Sequence, residues 1–245
     1  MVVYLAQKER DLFFKLYFDL LYCVNKKHKT VKNFGNSRYP KSVDTHDAYK
    51  IREKLFENPA WIDEYIRAHG KEFNDEELSI LTSWRDHFVK DMFILMKNLA
   101  KYSVLMSSGS VGESALYGVI GLNHSIAELF DANDLPLIVN TVILPFKDKI
   151  IYDGIMTSGN ILIGPGMRSN LNTQYKQIKE RYGICESLPF IAIPKKTVNT
   201  TLAKTPATKP SQELYDSIAP IITNFCSEHL NEEYAEVSLR MLGKL

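Results

Sequence analysis

The sequence has few of the features that announce a chemistry. Its three cysteines, Cys23, Cys185 and Cys226, are odd in number and far apart, with no C-x-x-C pair. That excludes a disulfide framework and predicts a reduced, cytoplasmic setting, with Cys23 and Cys226 as core thiols among apolar neighbours. No segment approaches the roughly 20 apolar residues of a membrane-spanning helix, and the opening Met-Val-Val-Tyr-Leu-Ala is too short for the core of a secretion signal. No membrane partner is expected. Formal net charge is only +1, so no global field draws the chain to nucleic acid or anionic lipid; a local basic patch is compatible with that value. The six histidines, at 28, 46, 69, 87, 124 and 229, are scattered, with no H-E-x-x-H and no Cys/His array. No metal and no cofactor is expected. The motifs G-x-x-x-x-G-K-[ST], G-x-G-x-x-G and G-x-S-x-G are missing too. Their absence removes the common phosphate loops and the nucleophile elbow, but not sites assembled from distant residues.

What is present describes an ordinary soluble chain. Of its 245 residues, 45% are hydrophobic and 24% charged, enough to bury a core in one large domain or two small ones without disulfides or metal. Residues 7–24 carry Leu12, Phe13, Leu16, Leu20 and Cys23 at three- and four-residue steps, which predicts a helix. Phe14, Tyr17, Phe18, Leu21 and Tyr22 widen its apolar surface. Further helices are predicted over 45–56, from Asn58-Pro59 to Gly70, and from the cap signature Asn74-Asp75-Glu76-Glu77 onward to about residue 99. The last takes Leu78, Leu81, Phe88, Met92, Leu95 and Leu99 as its stripe.

From residue 102 the pattern turns to strands, expected over 102–106, 115–122, 135–146, 150–156 and 161–164. The residues there are β-branched and aromatic, and turn formers cut them at short intervals. Residues 135–146 are apolar at nearly every position, as a strand covered on both faces would be. A helix over 169–182 ends at Gly183 as a left-handed cap, and 188–193 reads as an edge segment. The fold class is α+β. It comprises a helical region over 1–100, an antiparallel sheet of about five strands with a helix over 101–194, a linker over 195–210, and a C-terminal helix pair over 211–245.

Four places invite chemistry. In Tyr152-Asp153-Gly154 a buried Asp could act as a general acid or base, while Asp-Gly could equally mark a bulge or tight turn. In Gly164-Pro165-Gly166-Met167-Arg168 the glycines and Arg168 could receive an anion; a plain turn is the simpler reading. Glu228, Glu232, Glu233 and Glu236 could share proton transfer or hold a cation, or form a solvated face. A Lys-rich stretch, Lys26, Lys27, Lys29 and Lys32, either grips phosphate or complements the negative end of the preceding helix.

Two segments carry a resemblance. Leu144-Pro145-Phe146 with Ile150-Ile151-Tyr152-Asp153-Gly154, and Phe225-Cys226-Ser227-Glu228-His229-Leu230-Asn231-Glu232-Glu233-Tyr234, resemble an uncharacterised bacterial family, a domain of unknown function marked by F-C-x-x-x-L-N-x-E-Y. With Leu116 to Val119 and Ile126 to Phe130 the resemblance covers roughly the last 130 residues. It implies a fold and no activity. The basic tail such proteins carry after the last helix is not seen here, where the sequence reads Gly243-Lys244-Leu245.

The leading expectation is a non-enzymatic, cytoplasmic interaction or regulatory module, with a protein partner or self-association through the last two helices. A second is nucleic-acid binding through Lys26, Lys27, Lys29 and Lys32 together with Lys195 and Lys196 in the linker. A third is a hydrolase-type enzyme using Asp153 and Arg168, which requires the two to share one cleft.

Overall fold

The computed structural model describes residues 4–32, 34–35, 44–109, 114–159 and 163–191. Four helices come first: α1 (Gln7–His28), α2 (Thr45–Glu57), α3 (Ala60–His69) and α4 (Asp75–His87). Five strands follow, β1 (Val89–Asn98), β2 (Ser103–Ser107), β3 (Leu116–Ile120), β4 (Leu137–Phe146) and β5 (Lys149–Ser158), and then α5 (Pro165–Arg181). The α+β class holds. The expected linker and C-terminal helix pair, with Lys195, Lys196 and the acidic run, fall outside the described residues.

Local signals explain most of the boundaries. Asn74 Oδ1 accepts from the Glu77 backbone N–H at 2.9 Å and Glu77 Oε2 accepts from the Asn74 N–H at 3.1 Å, the reciprocal cap that starts α4. Gly183, at φ 84°, turns the chain just after α5 as its left-handed position requires. Lys147, at φ 56°, makes the tight link between β4 and β5.

One helix runs shorter than its pattern suggested. α4 ends at His87, and Phe88, Met92, Leu95 and Leu99 belong to β1 or its flanks rather than to a helical stripe. Phe93 and Leu95 face one core, and Ile94 and Met96 face another. With both faces buried the two-residue alternation disappears, and an unbroken apolar run fits either period. β1 thus takes the place expected for a strand at 161–164. Of that segment Ile163 and Gly164 are not in a strand, and 161–162 lie outside the described residues.

The strands do not form an open antiparallel sheet. They close into a barrel of order β1-β2-β3-β5-β4, in which every neighbouring pair is antiparallel except β3 and β5. That parallel seam is short, pairing Val119 with Ile150 and Ile120 with Ile151. The rest of the outer edge of β3 is taken by two other segments. The Cys185 backbone bonds Leu116 and Gly118, at 2.7 and 2.8 Å, and the Leu5 N–H donates to Gly121 at 3.1 Å.

The barrel wall is covered twice. α5 lays Leu171 and Tyr175 over Ile94, Met96, Val104, Met106, Leu116 and Ile138. This covers the outer β2–β3 face that five-stranded Greek-key barrels use to bind oligonucleotides. The N-terminal helices cover β4 and β5, where Phe13 stacks on Tyr17 (5.2 Å between centroids) and meets Trp84 edge-on (5.6 Å). The Trp84 indole N–H donates to the Pro145 carbonyl at 2.9 Å, so the Leu144-Pro145-Phe146 segment is where helix and barrel are tied.

Candidate functional site

Two clusters of polar side chains stand out, one sealed and one open. The sealed one forms where α1 and α2 meet the barrel. β5 bulges there: Thr141 pairs with Met156 and Ile143 with Tyr152, so β5 spends more residues than β4 across the same span. Gly154 supplies the φ of 93° that the bulge needs. The two sequence readings of Asp153-Gly154 therefore combine, because the bulge carries a buried carboxylate. Asp153 Oδ2 accepts from the Tyr17 hydroxyl at 3.0 Å, and Oδ1 accepts from the Ile155 N–H at 3.1 Å. Arg52 Nε lies 3.2 Å from Asp153 Oδ2, and both side chains are 0% exposed.

Arg52 is held by charge more than by aligned hydrogen bonds. Its Nη1 is 2.8 Å from Glu53 Oε1, and Lys90 reaches Glu53 Oε2 at 2.8 Å. None of the three guanidinium nitrogens meets hydrogen-bond geometry among the described residues. Burial pushes the Asp153 carboxyl up from its ordinary range, against the pull of Arg52. Burial, then the neighbouring Asp153 carboxylate, pushes the Tyr17 phenol well above its ordinary value, so Tyr17 stays a donor. Burial alone would lower Arg52, but Asp153 and Glu53 outweigh it and keep the guanidinium charged. The cluster ties two helices to the barrel, and no solvent reaches its acid.

Arg168 does not join it. It sits on α5, where its Nη1 donates to the Leu135 carbonyl, and its neighbours Met167 and Leu171 pack on the outer core under that helix. The pairing of Asp153 with Arg168 in one cleft is not what the fold makes. The glycines before Arg168 do the plain work of a helix start, with Gly164 as cap and Pro165 in the first turn.

The open cluster is a groove of about 510 Å³ between the C-terminal half of α1 and α3. From α1 come Tyr22, Cys23, Lys26 and Lys27. From α3 come Trp61, Glu64, Tyr65 and Ala68, spaced as a single helical stripe. Its lining is mostly apolar. The His28 ring stacks on Trp61, 3.8 Å between centroids and 12° between planes. Glu64 Oε2 holds both His28 Nε2 (2.8 Å) and Lys27 Nζ (3.0 Å), and these two contacts draw the Glu64 carboxyl below its ordinary value.

The Lys-rich stretch is thus partly resolved. Lys26, Lys27 and His28 close the last turn of α1, and Lys29 caps it at φ 55°. Asn25 clamps the following loop by exchanging bonds with Val31, at 2.8 and 3.1 Å. Lys27 is taken by Glu64, while Lys26, Lys29 and Lys32 are exposed.

Sequence reasoning missed Arg52 and the groove. The signal for Arg52 was available: it falls inside the stripe Ala48, Ile51, Leu55 and Phe56, so it had to be buried and paired. Nothing local could have brought α1 beside α3. Among the described residues no cluster of His, Cys, Asp and Glu is placed to hold a metal ion, and no helix is long and apolar enough to cross a membrane. Comparison of the chain with family models, curated proteins and solved structures gave no match.

Proposed function

We propose that this protein is a non-enzymatic interaction module, and that the α1–α3 groove docks a helix whose docking face is apolar over one part and acidic over the next. The observation that carries this reading is the groove itself. Two helices line it with Tyr22, Trp61, Tyr65 and Ala68, and Lys26 and Lys27 lie among them. A third helix laid against them would bury its apolar face on Tyr22, Trp61 and Ala68, which keep exposed surface, as in other helix-in-groove complexes. Its acids would meet the lysines.

Two features favour this over the other expectations. Asp153, the acid singled out by the sequence, is sealed behind Arg52 and Tyr17, out of a substrate's reach. Nucleic-acid binding calls for a track of cations along a backbone, whereas this groove is lined mostly by apolar and aromatic residues and Glu64 adds a carboxylate to it.

The test is a titration with a labelled acidic amphipathic peptide. The protein is the full chain with Glu228, Glu232, Glu233 and Glu236 changed to Gln, so that no internal acid competes. Saturable binding is expected, weakened about tenfold or more by Lys26→Glu with Lys27→Glu, as loss and reversal of two charged contacts implies. Failure to bind, binding indifferent to that change, or preferential binding of a single-stranded oligonucleotide would reject the reading.

A further inference from the structure

We infer that the occupant of the α1–α3 groove is the chain's own segment 220–236, docked in cis. The inference rests on the docking role proposed above and names its partner. Those 17 residues carry four glutamates, Glu228, Glu232, Glu233 and Glu236, with no lysine or arginine. Wound as a helix, the segment would set Ile221, Ile222 and Phe225 on one stripe, which Glu228, Glu232 and Glu236 continue at three- and four-residue steps toward its C-terminal end. That is the counterpart of a groove lined by Tyr22, Trp61, Tyr65 and Ala68 together with Lys26 and Lys27.

Charge is distributed along the chain in the same sense. The intervening stretch 195–209 carries Lys195, Lys196, Lys204 and Lys209 and no acid, so the acidic segment has no like-charged tether to fight.

Reach is sufficient. The 28 residues 192–219 join the last described residue, Ile191, to Pro220. Extended, they span about 90 Å. A folded body of some 190 residues has a radius of gyration of only about 16 Å, so any point on its surface is accessible. A tether of this length holds its end at an effective concentration of the order of 1 mM. A contact with a dissociation constant of about 0.1 mM would therefore be about nine-tenths closed. An added competitor would bind the intact chain roughly tenfold more weakly.

Two native thiols make the test direct. Cys23 lines the groove and Cys226 lies within the segment, while Cys185 sits elsewhere, its backbone paired with β3. Site-resolved maleimide labelling of the full chain should find Cys23 about tenfold slower than in the variant with the four glutamates changed to Gln, with Cys185 unchanged. A short bis-maleimide should link Cys23 to Cys226 within one chain, and the variant should lose the link. The labelled acidic peptide should bind the wild-type chain about tenfold more weakly than the variant.

Equal Cys23 rates and no intramolecular link, with the peptide bound equally by both chains, would overturn the inference and leave the docking groove standing. Links only between chains would overturn it in favour of a second copy. If the peptide binds neither chain and the Cys23 rates are equal, both the inference and the docking role fall.

Discussion

Replacing Arg52 with Met tests the sealed cluster most severely. The change keeps the volume and the helix propensity but leaves Asp153 as a fully buried carboxylate with only the Tyr17 hydroxyl and the Ile155 N–H as strong donors. Breaking a buried ion pair from one side costs about 3–5 kcal/mol, because the remaining charge keeps its desolvation penalty and loses its compensation. Against a total stability of about 5–15 kcal/mol this is a large fraction. With a urea slope of about 2 kcal/mol/M it moves the midpoint down by about 2 M. Adding Asp153→Asn should recover part of the loss. The carboxamide oxygen still accepts from Ile155, the buried charge is gone, and Glu53 keeps Lys90 at 2.8 Å. The double variant should therefore be more stable than Arg52→Met alone by about 1.5 kcal/mol or more.

The pH dependence has a definite sign. With Arg52 gone, the folded-state pKa of Asp153, already raised by burial, rises further above its unfolded value of about 4. The folded state then binds the extra proton, so the deficit at pH 7 should narrow as pH falls toward about 4. Urea unfolding followed by circular dichroism, at pH 7 and pH 5, measures all of this. A double variant no more stable than Arg52→Met, or a deficit that widens on acidification, would refute the assignment of Arg52 and Asp153 as a coupled pair.

Three further outcomes follow from local geometry. Gly154→Ala places a side chain at φ 93°, with its Cβ 3.3 Å from Leu122, and should cost about 1–2 kcal/mol in a thermal or urea melt. Asn74→Ala removes an acceptor for the Glu77 N–H and should cost about 1 kcal/mol, whereas Asn74→Asp should cost little. The Glu64 carboxyl should titrate below the ordinary glutamate value of 4.5 by carbon-detected NMR, because Lys27 and His28 hold its charged form. It should move back up when Lys27 is changed to Met, and the contacts it makes should be lost as pH falls through its lowered pKa.

The sequence announced what is decided locally. The reciprocal cap at Asn74, the left-handed turn at Gly183, and the strands around Val104, Val142 and Ile151 all follow from residues within a few positions of one another. β1 was hidden because both of its faces are buried, which erases the alternation that identifies a strand. Barrel closure was hidden for another reason. The β3–β5 pairing joins residues some 30 positions apart through two register pairs, and no local signal encodes it. Asp153 was legible as an acid in an apolar run, but its partners come from α1, α2 and β4. Arg168 looked available from sequence, and the packing of α5 gave it to Leu135.

The divided outer edge of β3 has a consequence for how the chain is made. On a ribosome β1 to β4 emerge first, and β3 waits on that side with exposed N–H and carbonyl groups until residues 149–151 arrive. Even then only Val119 and Ile120 are paired; the Gly118 N–H and the Leu116 carbonyl wait for Cys185. Until that residue is available, a nascent barrel displays an apolar strand edge, the template on which chains in a crowded polysome pair with one another. Slow codons just before residue 185 would prolong that exposure, and holdase chaperones bound to the nascent chain would cover the edge meanwhile. A stretch of chain remote from the strands in sequence thus completes the edge of β3.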